Sequence, residues 1–494
     1  MSDTGSSQMD PLPGFNLTVN QEKYLSTSDS RMDAILRVAA QDWATRSRVT
    51  PEAAQVILVD CSGSMSVPPT RIAAARRATA AAIDTLRDGA YFAIVAGTDE
   101  AKLKYPSVPQ LATANAQTKA EAKAVAAGLV ASGGTAMGTW LTLARELLDS
   151  HPTAVRHALL LTDGKNREAP RRLEGVLDEC AGRFVCDARG IGADWEPKEL
   201  RRIVEVLRGQ ADAVRVNAEL AADFRQITEA VMSKVVPDIR IRVRLMPGTR
   251  LRFLKQVYPT EQELTAHRSA LDVHTVEFST GSWGSQDSRD YQLCFSVDQE
   301  GKAKEEEIQV AAVELASIVA GPAGTQRRGA PSPITVIWTD DLVRSSRVHP
   351  KVAHYTGQAE INRAVTAGCD AYDAGRLAEA GQEWGRAIKL ATESGNAEIL
   401  KRMERLVEIK DAAQGRVTIK PGLAPGDLLK AAVGSNISTR SPDSPAETSD
   451  EPGPAGPDRV CPNCQRISAG DVTYCGTCRR PLSAQDELDG GQRR

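Results

Sequence analysis

The spacing of hydrophobic residues changes along the chain, and each change predicts a different kind of structure. Over residues 51–236, short apolar runs alternate with longer, Ala-rich amphipathic stretches. The runs are too short for helices, and their continuous apolar character is typical of strands covered on both faces. Strands that alternate with helices predict βα repeats around a mainly parallel sheet. The predicted strands include residues 56–59, 92–95, 158–161 and 184–185.

After residue 236 the hydrophobic period becomes two. Residues 238–245 read DIRIRVRL, which places aliphatic side chains on one face of a strand and arginines on the other. Similar alternation recurs further along and predicts an antiparallel β-sandwich over residues 237–345. The segment 15–50 also alternates but is too short to fill a domain, so we expect its strands to complete this sandwich. The α/β domain at 51–236 is then an insertion between strands.

The C-terminal part of the chain predicts helices, a linker and a small module. Residues 350–415 follow a helical period with a break at Ala374-Gly375, and they resemble a tetratricopeptide-like hairpin; a plain helical appendage is the alternative. Residues 1–14, and the linker 416–458 from about residue 434, are rich in Ser, Pro, Gly and acidic residues and are predicted to be disordered. A Cys-containing segment at 459–482 and a tail at 483–494 follow.

Charge and composition argue against several classes of function. The 494 residues include 61 basic and 64 acidic ones, a net charge of −3, so no overall field draws the chain to nucleic acid or to an anionic membrane. No apolar run approaches the roughly 20 residues that span a bilayer. Residues 1–14 lack the basic and apolar regions of a secretory signal. The nine cysteines are scattered except for one C-terminal cluster, which is typical of a reducing compartment. We therefore expect a cytoplasmic protein.

A set of oxygen-bearing side chains follows two of the predicted parallel strands. Asp60, Ser62 and Ser64 come directly after the strand 56–59, and Asp163 follows the strand 158–161. Thr135 stands in a Gly-rich loop before a predicted helix. Loops at the carboxyl edge of a parallel sheet form ligand sites, so these side chains can meet there. Carboxylate and hydroxyl oxygens suit a hard cation such as Mg²⁺.

In order and spacing, these five residues resemble the metal-ion-dependent adhesion site of the von Willebrand factor type A domain. That family pattern is DxSxS, then a Thr in a Gly-rich loop, then an Asp that ends the next long strand. The resemblance implies a Rossmann-like α/β fold. It implies that Ser62, Ser64 and Thr135 coordinate Mg²⁺ or Mn²⁺ directly. Asp60 and Asp163 would hold the ion largely through water, and an acidic side chain of a partner protein would take an open position. For DxSxS alone, a loop that caps a helix is the alternative.

Catalysis is not expected at this site. Metal-assisted hydrolysis needs a base or nucleophile beside the ion. The six histidines form no ligand-spaced pair near these loops, and the sequence has no GxxxxGK[ST] loop for a nucleotide. A cation with one open position and no neighbouring base predicts a non-enzymatic docking site.

A second cluster of candidate metal ligands lies near the C-terminus. Two CxxC pairs are separated by ten residues, and four thiolates suit tetrahedral Zn²⁺. The segment resembles a compact zinc ribbon; a redox-active CxxC is the alternative, but it normally belongs to a thioredoxin-like βαβ unit. The segment has a single aromatic residue, which disfavours nucleic-acid binding. The candidate zinc ligands are Cys461, Cys464, Cys475 and Cys478.

A weaker candidate is a group of arginines around residues 240–252. Alternation predicts that they share one sheet face, which could bind an anion or a phosphoprotein partner, although a solvated face is the simpler interpretation. The residues are Arg240, Arg242, Arg244, Arg250 and Arg252.

The whole arrangement resembles bacterial cytoplasmic von Willebrand A proteins, especially actinobacterial ones. Some relatives are encoded beside Ser/Thr kinases, protein phosphatases and phosphopeptide-binding proteins. The resemblance therefore implies an intracellular signalling adaptor that engages an acidic residue of a protein partner. Two alternatives stay open: a regulatory subunit of an AAA-type ATPase or chelatase-like complex, and an RNA-binding protein.

Overall fold

The structure is a computed structural model. It describes residues 12, 14–41, 50–192, 195–214, 218–299, 301–318, 326–346, 348–423, 427–428, 430–431, 434, 437–441, 459–461, 465, 467–468 and 482. Within these residues, no helix is long and apolar enough to cross a membrane.

The α/β domain is built on a sheet with strand order β10-β9-β8-β4-β5-β6, in which β7 also pairs with β5. The strands from β10 to β5 are parallel to one another, and β6 and β7 are antiparallel to β5. These strands are β4 (Ala53–Asp60), β5 (Tyr91–Gly97), β6 (Ala101–Tyr105), β7 (Ala112–Thr113), β8 (Val155–Thr162), β9 (Val185–Ile191) and β10 (Arg208–Val214).

Helices cover both faces of this sheet, which explains why its strands are continuously apolar. One face packs on α1 (Thr70–Thr85), α2 (Ala116–Ala127) and α6 (Leu220–Met232). The other face packs on α3 (Met137–Asp149), α4 (Pro170–Cys180) and α5 (Pro197–Leu207). Every residue of β4 is buried. The predicted fold class, a mainly parallel α/β sheet with flanking helices, is confirmed.

Two mainly antiparallel sheets enclose a separate core. One sheet has the order β1-β3-β18-β13-β14 and the other has the order β15-β16-β12-β19-β21-β2, with β20 paired to β19. Here β1 is Phe15–Gln21, β2 is Tyr24–Ser26 and β3 is Arg31–Ala40, and a short pair is formed by β11 (Lys234–Val236) and β17 (Trp283–Gly284). The other strands are β12 (Ile239–Leu245), β13 (Thr249–Tyr258), β14 (Gln262–Glu263), β15 (Ser269–Ala270), β16 (Thr275–Ser279), β18 (Ser288–Val297), β19 (Ile308–Ile318), β20 (Gln326–Arg328) and β21 (Ser332–Thr339).

The N-terminal strands belong to this second body. β3 pairs along its length with β18, and β2 runs parallel to β21. The α/β domain therefore enters the chain between β3 and β12. Met32, Leu36, Ile241 and Phe295 are among the fully buried side chains between the two sheets.

The helical segment differs from its prediction at both ends. After α7 (Leu342–Ser346) it consists of α8 (Pro350–Asp373), α9 (Leu377–Glu393) and α10 (Ala397–Met403). A hairpin of β22 (Val407–Asp411) and β23 (Arg416–Ile419) follows, where a helix and the start of a linker were expected. Its alternating apolar side chains pack on the helices, and this tertiary contact outweighs the local helical pattern.

The linker also begins later than expected. Residues 437–441 lie within the segment predicted to be disordered, yet Ser438 and Ser441 are buried against the second body. The Ser438 amide donates to the carbonyl of Pro259 at 2.9 Å, and the Ser441 amide donates to the Tyr355 hydroxyl at 3.2 Å. Several predicted segments lie outside the described residues: residues 1–11, the rest of the linker predicted to be disordered, the tail, and most of the Cys-containing segment. In the described part of the Cys-containing segment, β24 (Arg459–Val460) pairs with β25 (Ile467–Ser468).

Candidate functional site

The five predicted cation ligands meet at the carboxyl edge of the parallel sheet. Asp60 is the last residue of β4, and Asp163 follows the last residue of β8, the strand paired directly with β4. Both carboxylates are fully buried, Ser62 and Thr135 are almost so, and Ser64 is half-buried. Of the five residues, Ser64 therefore lies nearest the surface.

The two serine hydroxyl groups form a hydrogen-bonded row with one carboxylate. Ser62 Oγ and Ser64 Oγ are 2.9 Å apart, and Ser64 Oγ donates to Asp163 Oδ1 at 2.7 Å. Thr135 lies beside this row, next to Gly164: a β-carbon built on Gly164 would lie 3.3 Å from Thr135 Oγ1 and 3.5 Å from Ser64 Oγ. Gly164 thus leaves the space that the three hydroxyl groups share.

Asp60 is a buried carboxylate that accepts two hydrogen bonds. Its Oδ1 accepts the backbone amide of Ser62 at 2.7 Å, and its Oδ2 accepts the Thr162 hydroxyl at 2.6 Å. Burial raises the pKa of Asp60 to about 6, and the nearby Asp163 carboxylate adds to this, although the hydrogen bonds from Ser62 and Thr162 oppose it. Two buried carboxylates this close favour a cation between or beside them.

Arg71, on α1, supplies one positive charge at the edge of the site. Its Nη1 donates to Asp163 Oδ2 at 2.9 Å, so the two oxygens of Asp163 face different partners. The guanidinium also lies against Gly192, at the end of the neighbouring strand β9, where a β-carbon would be only 2.8 Å from Arg71 Nη2.

The loops that carry the ligands are fastened to one another by their backbones. The Gly63 amide donates to the Gly133 carbonyl at 2.9 Å, and the Ser132 amide donates to the Cys61 carbonyl at 2.6 Å. Gly133 has a φ of +84°, a conformation that suits glycine. The Gly134 amide donates to Asp99 Oδ2 at 2.7 Å. The hydroxyl of Thr135 is thereby presented from a fixed loop.

The start of helix α3, just after Thr135, is tied to the loop that follows β8. The amides of Met137 and Gly138 donate to Asn166 Oδ1 at 3.0 Å and to Glu168 Oε2 at 2.6 Å. These acceptors satisfy two of the free amides of the first helical turn. These hydrogen bonds therefore tie the loop after β8 to the start of α3.

This donor set fits a small, hard divalent cation. Adjacent ligands of an octahedral ion with bonds of about 2.0–2.1 Å lie about 2.9 Å apart, and the Ser62 and Ser64 hydroxyl oxygens have that separation. Among the described residues, no group of three or more His, Cys, Asp or Glu side chains is placed to hold a metal. The fit therefore depends on hydroxyl oxygens supported by two carboxylates.

Comparisons with known proteins agree with this fold. The family model "von Willebrand factor type A domain" matches residues 54–213, and "von Willebrand factor type A C-terminal domain" matches residues 389–435. The solved structure of von Willebrand factor type A from Catenulispora acidiphila is 39% identical, with a TM-score of 0.79, and the match covers 88% of this chain and 99% of that chain. The chain belongs to the von Willebrand factor type A family.

A second solved structure shows likeness in fold alone. The ArnB paralog VWA2 from Sulfolobus acidocaldarius is 12% identical, with a TM-score of 0.53, and the match covers 86% of this chain and all of that one. No curated protein matches the chain. The match to the family's C-terminal domain begins in the last turn of α9 and includes all of α10 and the hairpin β22–β23.

The structure does not bring the five candidate arginines together. β12 and β13 lie in different sheets, so Arg240, Arg242 and Arg244 are separated from Arg250 and Arg252. Arg240 and Arg242 both pair with the carboxylate of Glu277, and Arg242 also lies 3.5 Å from Glu314. Their charges are therefore largely compensated within the sheet, and the prediction of one shared face is wrong.

The predicted zinc ligands fall mostly outside the described residues. Cys461 is buried, whereas Cys464, Cys475 and Cys478 are not described. The zinc ribbon therefore stays a prediction.

The supporting side chains of the candidate site were not predicted from the sequence. Thr162, Arg71 and Asp99 contact Asp60, Asp163 and the Gly134 amide, respectively. Thr162 lies next to the motif residue Asp163, so its position at the end of β8 was an available signal. Arg71 and Asp99 carry no local signal, because only the packing of α1 and of the loop after β5 brings them to the site.

Proposed function

We propose that this protein is a non-enzymatic adaptor that docks an acidic residue of a protein partner at a divalent cation, Mg²⁺ or Mn²⁺. Ser62, Ser64 and Thr135 would hold the ion directly, and Asp60 and Asp163 would support it through water. When bound, the ion supplies a Lewis-acidic position that accepts a carboxylate oxygen. The residues of this chain orient the ion and leave one side of it open to a partner.

One observation carries this proposal: hydroxyl oxygens from two loops lie beside two buried carboxylates. Ser64 and Asp163 are in direct hydrogen-bond contact although they are 99 residues apart in sequence. A helix-capping loop would account for a serine after β4, but not for the buried Asp163 and Thr135 beside it. Shared ligation of a cation accounts for all of them.

The charges around the site favour an anionic partner group. Two carboxylates balance a divalent cation, and Arg71 leaves one positive charge beside it. Opposite charge at an interface steers association and sets specificity. A carboxylate from Asp or Glu fits this requirement, and a cationic side chain does not.

Two exposed apolar side chains lie close in sequence to the candidate ligands. Val67, on the loop that follows Ser64, is 73% exposed, and Val130, just before the Gly-rich loop, is 70% exposed. Apolar groups that a protein partner can cover are a common part of protein-binding surfaces. They support a macromolecular partner rather than a small anion.

The composition of the site supports the proposal of docking rather than catalysis. In the part of the chain that the structure describes, the hydrogen-bond partners of the five residues include no histidine, cysteine or lysine side chain. The guanidinium of Arg71 is a poor base because arginine side chains stay protonated in proteins. We therefore infer that substrate turnover is not the task of this site.

The cellular setting is a further part of the proposal. We propose a cytoplasmic signalling role with a Ser/Thr kinase, a phosphatase or a phosphopeptide-binding protein as partner, and a structural zinc ribbon at residues 459–482. These statements rest on the resemblance of the whole chain to bacterial von Willebrand A proteins.

The test compares Thr135→Ala with Thr139→Ala. Thr139 lies one helical turn further along, and its hydroxyl donates to the Ala136 carbonyl at 2.8 Å, so its replacement removes a similar group outside the site. Binding of Mn²⁺ is measured by electron paramagnetic resonance, and partners are captured from native lysate in millimolar Mg²⁺ and identified by mass spectrometry. Chelation is avoided because it would also remove zinc.

We expect Thr135→Ala to lose Mn²⁺ binding and one partner, while Thr139→Ala and the wild type keep both. Asp→Asn and Glu→Gln variants of the captured partner should then identify the docking carboxylate. If Thr135→Ala retains Mn²⁺ and the same partners, the proposal fails. If the metal is lost but all partners stay, the ion is structural and docking occurs elsewhere.

A further inference from the structure

A second polar pocket lies on the far side of the α/β domain from the candidate cation site. It has a volume of about 100 Å³ and is formed where the amino ends of β8, β9 and β10 meet the strands β12 and β16 of the sandwich. Four arginines and one carboxylate are among the residues that line it: Arg156, Arg183, Arg208, Arg240 and Asp238.

The guanidinium groups of this pocket outnumber the carboxylates that pair with them. Arg156 lies 3.3 Å and Arg183 lies 4.0 Å from the same Asp149 carboxylate oxygen. Arg240 pairs with Asp238 at 3.1 Å. The other carboxylate partner of Arg240, the Glu277 side chain, is shared with Arg242. The pocket therefore carries an excess of positive charge.

Arg208 is the least compensated of the four. Its Nη1 donates to the neutral hydroxyl of Ser279 at 2.7 Å, and Ser279 in turn donates to Asp238 at 2.8 Å. Its Nε is buried and, within the described part of the chain, has no hydrogen-bond partner. Burial also lowers the pKa of Arg208, with Asp238 opposing the shift. A buried donor without an acceptor is costly and calls for an explanation.

The backbone of Arg208 is unusual as well. It has φ 59° and ψ 27°, the left-handed conformation that residues other than glycine rarely adopt. Arg208 is the residue that ends α5, where this conformation is common but is usually adopted by glycine or asparagine. The strain and the unpartnered Nε occur at the same residue, and its side chain faces the pocket.

We propose that this pocket binds a phosphate-sized oxyanion, either inorganic phosphate or the phosphoryl group of a small monoester. Planar guanidinium groups match phosphate oxygens with paired, charge-assisted hydrogen bonds. The pocket has room for one phosphate group beside the guanidinium groups that line it.

The anion joins two bodies of the protein. Arg156, Arg183 and Arg208 belong to the α/β domain, whereas Arg240 and Ser279 belong to the sandwich. A ligand shared by both bodies stabilises their contact, since binding to the folded state alone raises stability. The inference is independent of the cation site, which lies at the opposite edge of the sheet.

The test is a calorimetric titration of the full chain with inorganic phosphate at fixed ionic strength, without added divalent cations. Arg208→Gln and Arg183→Gln each remove one guanidinium; Arg183 is 58% exposed, so its replacement leaves the fold intact even if Arg208→Gln does not fold. The control is Arg416→Gln, which removes a similarly exposed arginine paired with Asp411 on the hairpin β22–β23.

We expect saturable binding by the wild type and Arg416→Gln. Arg208→Gln and Arg183→Gln should bind at least about tenfold more weakly, the loss typical of a charge-assisted hydrogen bond. A parallel titration with methyl phosphate distinguishes the sources: equal affinity indicates a phosphoryl group on an ester, and selective binding of inorganic phosphate indicates the free anion. Absence of saturable phosphate binding, or unchanged affinity in both pocket variants, overturns the proposal.

Discussion

Replacement of Thr162 by valine removes one hydroxyl group from the candidate cation site without changing the shape of the side chain. Thr162 is the last residue of β8 and is fully buried. Valine is also β-branched and suits a strand, so the backbone should keep its conformation. The perturbation is confined to the hydrogen bond from Thr162 to Asp60 Oδ2, which is 2.6 Å long, and to the weaker contacts with Gly164.

The size of the effect follows from the burial of both partners. Hydrogen bonds to charged groups typically contribute about 1.5–3 kcal/mol. Water cannot replace the lost donor, because Asp60 has no exposed surface. At pH 8 the Asp60 carboxyl is ionised, since its pKa is about 6. We therefore expect the free energy of opening of the α/β domain to fall by about 1.5–3 kcal/mol in Thr162→Val at this pH.

Hydrogen exchange measured by mass spectrometry is the suitable assay, because it follows peptides from β4 and β8 separately from the other bodies of this multidomain chain. With about 1.4 kcal/mol for each factor of ten, amides that exchange by opening of the domain should exchange about 10- to 150-fold faster. Thr79→Val is the control: Thr79 is equally buried in the same domain, but its hydroxyl donates to the neutral Ala75 carbonyl at 2.8 Å.

In the control, the free energy of opening should fall by less than about 1 kcal/mol. The Ala75 carbonyl belongs to the helix backbone and is neutral, so no buried charge is left without a donor. Equal acceleration in the two variants would show that the Asp60 charge is not the cause. Unchanged exchange in Thr162→Val would refute the argument that this donor stabilises the buried carboxylate.

Two further predictions address the cation site and acid stability. Gly164→Ala places a methyl group 3.3 Å from Thr135 Oγ1, and the backbone of Gly164 has an ordinary conformation. The affinity for Mn²⁺ should therefore fall by at least about tenfold, while the melting temperature changes little. Unchanged affinity would contradict the geometry of the site. For Glu277, burial raises the pKa, but hydrogen bonds from its two arginine partners outweigh it and hold the pKa below the ordinary value of 4.5. This carboxylate therefore stabilises the fold above about pH 4.5, and the contribution is lost as pH falls through its lowered pKa. Denaturant titrations from pH 7 to pH 3 should show a weaker pH dependence in Glu277→Gln than in the wild type, and parallel curves would exclude this contribution.

Much of the fold was predictable because it follows from the local spacing of hydrophobic residues. Apolar runs between amphipathic stretches predicted the parallel sheet and its two helical layers, and period two predicted the antiparallel strands. The hairpin β22–β23 was missed because its alternation is short and follows three helices, and only its packing against them makes it a stable pair. Within the candidate site, the residues DCSGS, Thr135 and Asp163 were sufficient to predict where the oxygen ligands meet.

The sequence by itself thus determined the strands, the helices and the five motif residues, because each depends on neighbours along the chain. Only the tertiary structure decided which charges meet. Arg71 reaches Asp163 across 92 residues, and Arg240 reaches Glu277 across 37. The turn after β12 carries the chain into the opposite sheet, because the apolar faces of β12 and β13 both need the same core. This packing separates the arginines of β12 from those of β13, and it places Arg208 at a pocket between two bodies. No local sequence pattern predicts either outcome.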